Sequence, residues 1–185
     1  MKGISRVAKT VTKVAEVMHW VAVGLMLAAT VCSFAAPQYL DLFVGIEGKE
    51  CCGAELSLYG FEVCAPIENG AVNAITFGFF GVGACAILTL MALVFHNLHG
   101  VIQRACIATP FEKENVRKLR RVGFCFMAIP VVGLVMSAVI RLAVGAEAVE
   151  IANSLDGFVT GIAVLCLTEF FARGVELEND VEGLV

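Results

Sequence analysis

Apolar residues along the chain gather into four long blocks, Val17 to Ala36, Ala71 to Phe95, Val122 to Leu142 and Ile151 to Ala172, separated by polar stretches. A helix rising 1.5 Å per residue needs roughly 20 residues to cross a hydrocarbon layer of about 30 Å, and each block reaches that length. The pattern predicts an all-α membrane protein, a bundle of four transmembrane helices in one domain covering residues 1–185. It also predicts an outer loop over 37–70, a helical segment over 96–121 and a tail over 173–185. Composition agrees. Of 185 residues, 59% are hydrophobic and 16% charged, against about 45–50% and about 25% in soluble domains. An ordinary soluble domain and a disordered chain are both excluded.

The net charge of −4 conceals a sorting of signs. Lys2, Arg6, Lys9 and Lys13 precede the first block; Arg104, Lys113, Arg117, Lys118, Arg120 and Arg121 lie between the second and third; Arg173 follows the fourth. Only Lys49 and Arg141 fall on the other side. The positive-inside rule therefore predicts both termini and the middle loop in the cytoplasm of a multi-pass bacterial inner-membrane protein. The opposite loop is acidic, with Asp41, Glu47, Glu50, Glu55, Glu62 and Glu68. The first block exceeds the 7–15 residues of a typical signal-peptide core, so it reads as a retained span, with cleavage as the competing reading.

Cysteines divide by compartment. Cys85, Cys125 and Cys166 fall in spans and Cys106 on the cytoplasmic side, where small buried thiols are expected. Cys51, Cys52 and Cys64 occupy the exported loop, and Cys32 the outer end of the first span. The expectation is a disulfide from Cys64 to Cys51 or Cys52, with the remaining one reaching Cys32. Closing that loop of about a dozen residues is worth about 3 kcal/mol in the chain-entropy model. The alternating stretch Leu56-Ser-Leu-Tyr-Gly-Phe-Glu-Val-Cys64 predicts a short β-hairpin turning at Gly60. No CxxC is present to support a thioredoxin-type motif or a zinc knuckle.

Thr109-Pro110-Phe111-Glu112 reads as a capping box with proline in the first helical position. The helix it opens carries Lys113, Arg117, Arg120 and Arg121 on one face and Val116, Leu119 and Val122 on the other, and runs into the third span with Pro130 as a kink. Such a basic face can meet lipid phosphates or a cytoplasmic protein. One basic turn without a reading element does not point to nucleic acid. The segment Thr109 to Gly123, followed by two spans and then Phe171-Ala-Arg-Gly-Val-Glu-Leu-Glu178, resembles the YoaS-like family. These are small four-span bacterial membrane proteins with a domain of unknown function, often encoded beside a short helix-turn-helix regulator. The resembling positions are Pro110, Phe111, Asn115, Val116, Leu119, Arg120, Arg121 and Gly123, then Arg173, Gly174 and Leu177. The outer cysteine loop is not part of the resemblance, and Asn179-Asp-Val-Glu-Gly departs from the family's acidic-Gln-Asp-Leu-Thr ending. The resemblance implies bacterial origin and no established enzymatic activity.

Ionisable groups within spans are costly and raise a functional question. Arg141 and Asp156 are expected to pair at the outer interface, and Glu169 to pair with Arg104, Arg121 or Arg173 at the inner one. His19, His96 and His99 share a depth near the cytoplasmic face. That permits a b-type haem held by His19 with His96 or His99, although spans three and four offer no histidine. Gly157-xxx-Gly161 and the series Ala74, Gly78, Gly81, Cys85 are small faces for close helix packing, within one chain or between two. Gly78-Phe-Phe-Gly-Val-Gly83 lies mid-span and reads as packing rather than phosphate binding.

No catalytic constellation, metal site or cofactor is expected. The leading expectation is a non-enzymatic sensor or accessory protein that engages a cytoplasmic partner, such as a helix-turn-helix regulator, through Lys113, Arg117, Lys118, Arg120, Arg121 and Arg173. Opposite charge also predicts that the acidic tail clasps the basic helix. A small oligomeric transporter or channel is the alternative, and the haem electron carrier a second.

Overall fold

The computed structural model describes residues 2–36, 54–68, 71–105, 112–145 and 150–182. In chain order these form α1 (Lys2–Ala35), β1 (Ala54–Leu58), β2 (Phe61–Ala65), β3 (Ile67–Glu68), β4 (Ala71–Val72), α2 (Ala74–Ala105), α3 (Lys113–Val144), β5 (Glu150–Asn153) and α4 (Asp156–Glu182). All four helices are long and apolar enough to cross a membrane. At 34, 32, 32 and 27 residues they exceed a single crossing, because each apolar block continues into a polar helical extension with no breaker between.

The chain divides into two compact units, one made of Trp20–Thr89 and Ile129–Asp156, the other of Met1–His19, Leu90–Ala128 and Gly157–Val185. The first carries a sheet of order β1-β2-β5, all antiparallel. Its hairpin turns at Tyr59 and Gly60, with φ of 49° and 80°, the two positive values that a tight hairpin turn of the preferred twist requires. Alternation then buries Phe61, Val63 and Ala65 and turns Glu62 out. Phe61 stacks on Phe80 at 5.2 Å, and Ala65 joins Ala29, Val72 and Phe77 in the core. Asn73 caps α2, its Oδ1 accepting from the Ile75 and Thr76 amides at 3.1 and 3.0 Å.

Two span boundaries differ from expectation. Residues 151–153, assigned to the fourth block, belong instead to β5 and pair with β2 through Val63↔Ile151 and Phe61↔Asn153, so α4 begins at Asp156. The second helix likewise starts after β4, at Ala74. A short apolar run adjoining a helical one carries no periodicity that separates strand from helix. Of the expected capping box, 109–111 lie outside the described residues; α3 begins at Lys113, the Glu112 carbonyl accepting from the Asn115 and Val116 amides. Pro130 stands inside α3.

Each expected disulfide, Cys64 with Cys51 or Cys52 and the remaining one with Cys32, involves a cysteine outside the described residues; among the described cysteines Cys32, Cys64, Cys85, Cys125 and Cys166, none is bonded to another. Cys64 falls on the Glu62 side of β2, opposite the face that Phe61, Val63 and Ala65 bury.

The glycines pack within the chain. A Cβ on Gly78 would overlap Phe34, and one on Gly81 would overlap Thr30, so this face of α2 receives α1. In the other unit, Gly123 and Gly161 bring α3 and α4 together, a Cβ on Gly161 lying 2.8 Å from the Gly123 carbonyl oxygen. The core of that unit includes Met91, Ala92, Val94, Val122 and Val175.

Candidate functional site

In the unit formed by Met1–His19, Leu90–Ala128 and Gly157–Val185, polar side chains occur both inside the packing and on its surface. The inner set begins with spacing. On α1, Lys9, Thr12, Glu16 and His19 recur every three or four residues and so share a face. Glu16 is 6% exposed. Its carboxylate accepts from Lys13 Nζ and from His96 Nδ1, each at 3.1 Å, and a buried carboxylate requires such partners. One turn along α2, His99 Nδ1 donates to the Lys9 carbonyl and the Thr12 hydroxyl, both at 3.2 Å. The tautomer follows from the carbonyl, which can only accept. His19 Nδ1 donates to the Ala15 carbonyl at 2.8 Å, and its ring lies 5.0 Å from Phe95.

Asn97 and Asn115 are buried in the same unit, 8% and 1% exposed. Glu16 and Asn97 were not legible as inward-facing polar groups from hydropathy alone. For Glu16 the usable signal was the polar stripe through Thr12 and His19.

The outer set lies at the start of α3. Lys113, Arg117, Arg120 and Arg121 are exposed, whereas Asn115 and Val122 are buried and Val116 and Leu119 half-buried. The expected two faces are therefore present. None of these four cations joins an ion pair among the described residues, where the pairs are Lys13–Glu16, His96–Glu16, Arg104–Glu112, Arg104–Glu114 and Lys118–Glu114. Arg104, in the last turn of α2, reaches the acidic first turn of α3, where each charge also suits its helix terminus.

Lys118 behaves differently from the other basic candidates. Its stem covers Gly100, where a Cβ would overlap it, and its Nζ lies 3.9 Å from Glu114, which removes it from the exposed face. The predicted Arg141–Asp156 pair is not formed, and neither is an ion pair from Glu169 to Arg104, Arg121 or Arg173, among the described residues. All of these except Arg104 stand exposed. Asp156 occupies the first turn of α4, where the helix dipole already favours a carboxylate, and Arg104 is drawn to Glu112 and Glu114 instead. Glu176 of the tail is exposed and takes no basic partner from α3; the side chains of residues 178–182 lie outside the described set.

Four exposed cations share one helical face, a surface of positive charge, and the inner Glu16–His96 pair ties α1 to α2. Among the described residues, no three His, Cys, Asp or Glu side chains assemble as a metal site. The three histidines come from α1 and α2 alone. Comparison with protein-family models, with curated proteins and with solved structures returns no match to this chain.

Proposed function

We propose that this chain is a non-enzymatic sensor or accessory protein of a bacterial inner membrane, with both termini in the cytoplasm, that docks a cytoplasmic protein through the start of α3. The observation that carries the reading is the contrast among its cations. Arg104 and Lys118 pair with Glu112 and Glu114, while Lys113, Arg117, Arg120 and Arg121 stand exposed and join no ion pair among the described residues. Helical spacing holds them on one face for a partner of opposite charge. The resemblance to the YoaS-like family, whose members are often encoded beside a helix-turn-helix regulator, supports such a regulator as the partner class.

The test compares the parent protein with a variant carrying Arg117→Glu, Arg120→Glu and Arg121→Glu, each purified by a tag from native membranes. A partner that copurifies with the parent and is lost from the variant, at equal thermal stability, supports the reading. Equal recovery from both overturns it. So does solute flux through the parent protein in liposomes, which belongs to a transporter, or a Soret band in its visible spectrum, which belongs to a haem carrier.

A further inference from the structure

Glu16 and His96 meet at the edge of the apolar blocks: Glu16 immediately precedes the first block and His96 immediately follows the second. Their bond joins α1 to α2 within one unit, Glu16 Oε1 to His96 Nδ1 at 3.1 Å, with side-chain exposures of 8% for the carboxylate and 66% for the imidazole. The anion is therefore shielded, while water reaches the ring that it faces. An imidazole is the side chain that ordinarily changes charge between about pH 5 and pH 8.

The three histidines differ in what they face. His19 Nδ1 donates to the Ala15 carbonyl of its own helix, and His99 Nδ1 to the Lys9 carbonyl and the Thr12 hydroxyl, all neutral acceptors. His96 donates to a carboxylate. A proton gained on its ring sets a positive charge directly against a negative one, and hydrogen bonds assisted by charge in this way are about twice as strong as neutral ones. Lys13, on α1, holds the second carboxylate oxygen at 3.1 Å and keeps its own charge throughout this range. From α3, Lys118 reaches over Gly100, one turn along α2 from His96; its ammonium opposes a charge on the ring, and Glu114, 3.9 Å from it, offsets that opposition. Arg104, two turns beyond His96, is taken up by Glu112 and Glu114. Glu169, Arg173 and Glu176 of α4 are exposed, and none pairs with Glu16 or His96 among the described residues.

We propose that this contact is a proton-responsive latch between α1 and α2, tight when the His96 ring is charged and loosened when it is neutral, with Lys13 retaining the carboxylate in either state. Protonation strengthens the bond, so the latch weakens as pH rises. It stands on the basic side of the four blocks. On the orientation proposed above, which this step rests on, it reads the proton concentration of the cytoplasm and supplies the proposed sensor with an input.

The experiment places spin-label residues at positions 7 of α1 and 103 of α2, both exposed, in the full chain in lipid vesicles. Pulsed electron spin resonance then compares their distance distribution at about pH 5.5 and about pH 8, on either side of the ordinary imidazole titration. The distribution is expected to be narrower at the lower pH in the parent, to lose its pH dependence in His96→Gln and in Glu16→Gln, and to keep it in His99→Gln. Thermal unfolding in detergent is an independent readout: the parent's midpoint should exceed that of His96→Gln by about 2–4 °C more at the lower pH than at the higher. A parent distribution that does not change with pH overturns the proposal, as does a change that persists in His96→Gln or is lost in His99→Gln. Neither measurement involves the copurifying partner, so the latch and the docking role of α3 can fail separately.

Discussion

Glu16 Oε1 lies 3.1 Å from His96 Nδ1, and the carboxylate that makes this bond is almost wholly buried while the imidazole remains largely exposed. The asymmetry determines which partner matters more. Removing His96 leaves a buried carboxylate with only Lys13 beside it; removing Glu16 leaves an imidazole that water can solvate. His96→Ala is therefore expected to destabilise by about 1–3 kcal/mol, the range for losing a hydrogen bond to a charged buried group. Glu16→Gln, which keeps shape and one acceptor, is expected to cost less. Thermal unfolding in detergent measures both, and the double variant should fall short of the sum because the two residues share one interaction.

Gly60 offers a second test. Its φ of 80° is one that L side chains rarely adopt, and a Cβ there would lie 2.7 Å from the Ser154 Cβ. The Ser154 amide also donates to the Gly60 carbonyl at 2.7 Å. Gly60→Ala should cost about 1–2 kcal/mol through the left-handed backbone alone, with further loss from displacing β5. Amide exchange should rise in Phe61–Ala65 and Glu150–Asn153 before it rises in the helices. Unchanged protection in those strands would contradict the described turn.

Two helical glycines should respond in opposite directions to alanine. At Gly161 the added methyl meets the Gly123 carbonyl oxygen and the Met127 backbone nitrogen, atoms that cannot rotate away, so Gly161→Ala should destabilise by about 1–3 kcal/mol through overpacking. At Gly24 nothing lies within 4 Å, and Gly24→Ala should raise the unfolding temperature of the monomer, by up to about 1 kcal/mol in stability. Parallel melts in one detergent would show whether the signs differ.

Much of the fold follows directly from periodicity. Four apolar blocks gave four helices, Gly60 with its alternating neighbours gave the hairpin, and spacing separated Arg117, Arg120 and Arg121 from Val116, Leu119 and Val122. What was not legible depended on long-range pairing. Whether Glu150–Asn153 is strand or helix is decided by β2, almost ninety residues earlier in the chain, whose register takes up Ile151 and Asn153. Lys118 is withdrawn over Gly100, on the neighbouring helix, a contact between α2 and α3 that local spacing within α3 does not reveal. The Arg141–Asp156 expectation failed for a related reason: closeness in sequence across a short loop does not fix where two exposed side chains point.

The proposed docking role depends on the exposed cations rather than on charge in general. Substituting Lys118→Gln should leave partner recovery unchanged and lower stability only slightly, by less than about 1 kcal/mol, since its ion pair with Glu114 is partly exposed. Arg117→Gln with Arg120→Gln should reduce recovery without a change in melting temperature.

The most direct test places a photoreactive residue at position 117, 118 or 120 in living cells and compares the adducts. The account predicts a discrete protein adduct of one mass from 117 and 120, weak or absent from 118, and lost from 117 when Arg120→Glu and Arg121→Glu are added. Adducts to lipid alone at all three positions, or equal protein adducts that persist after charge reversal, would contradict it.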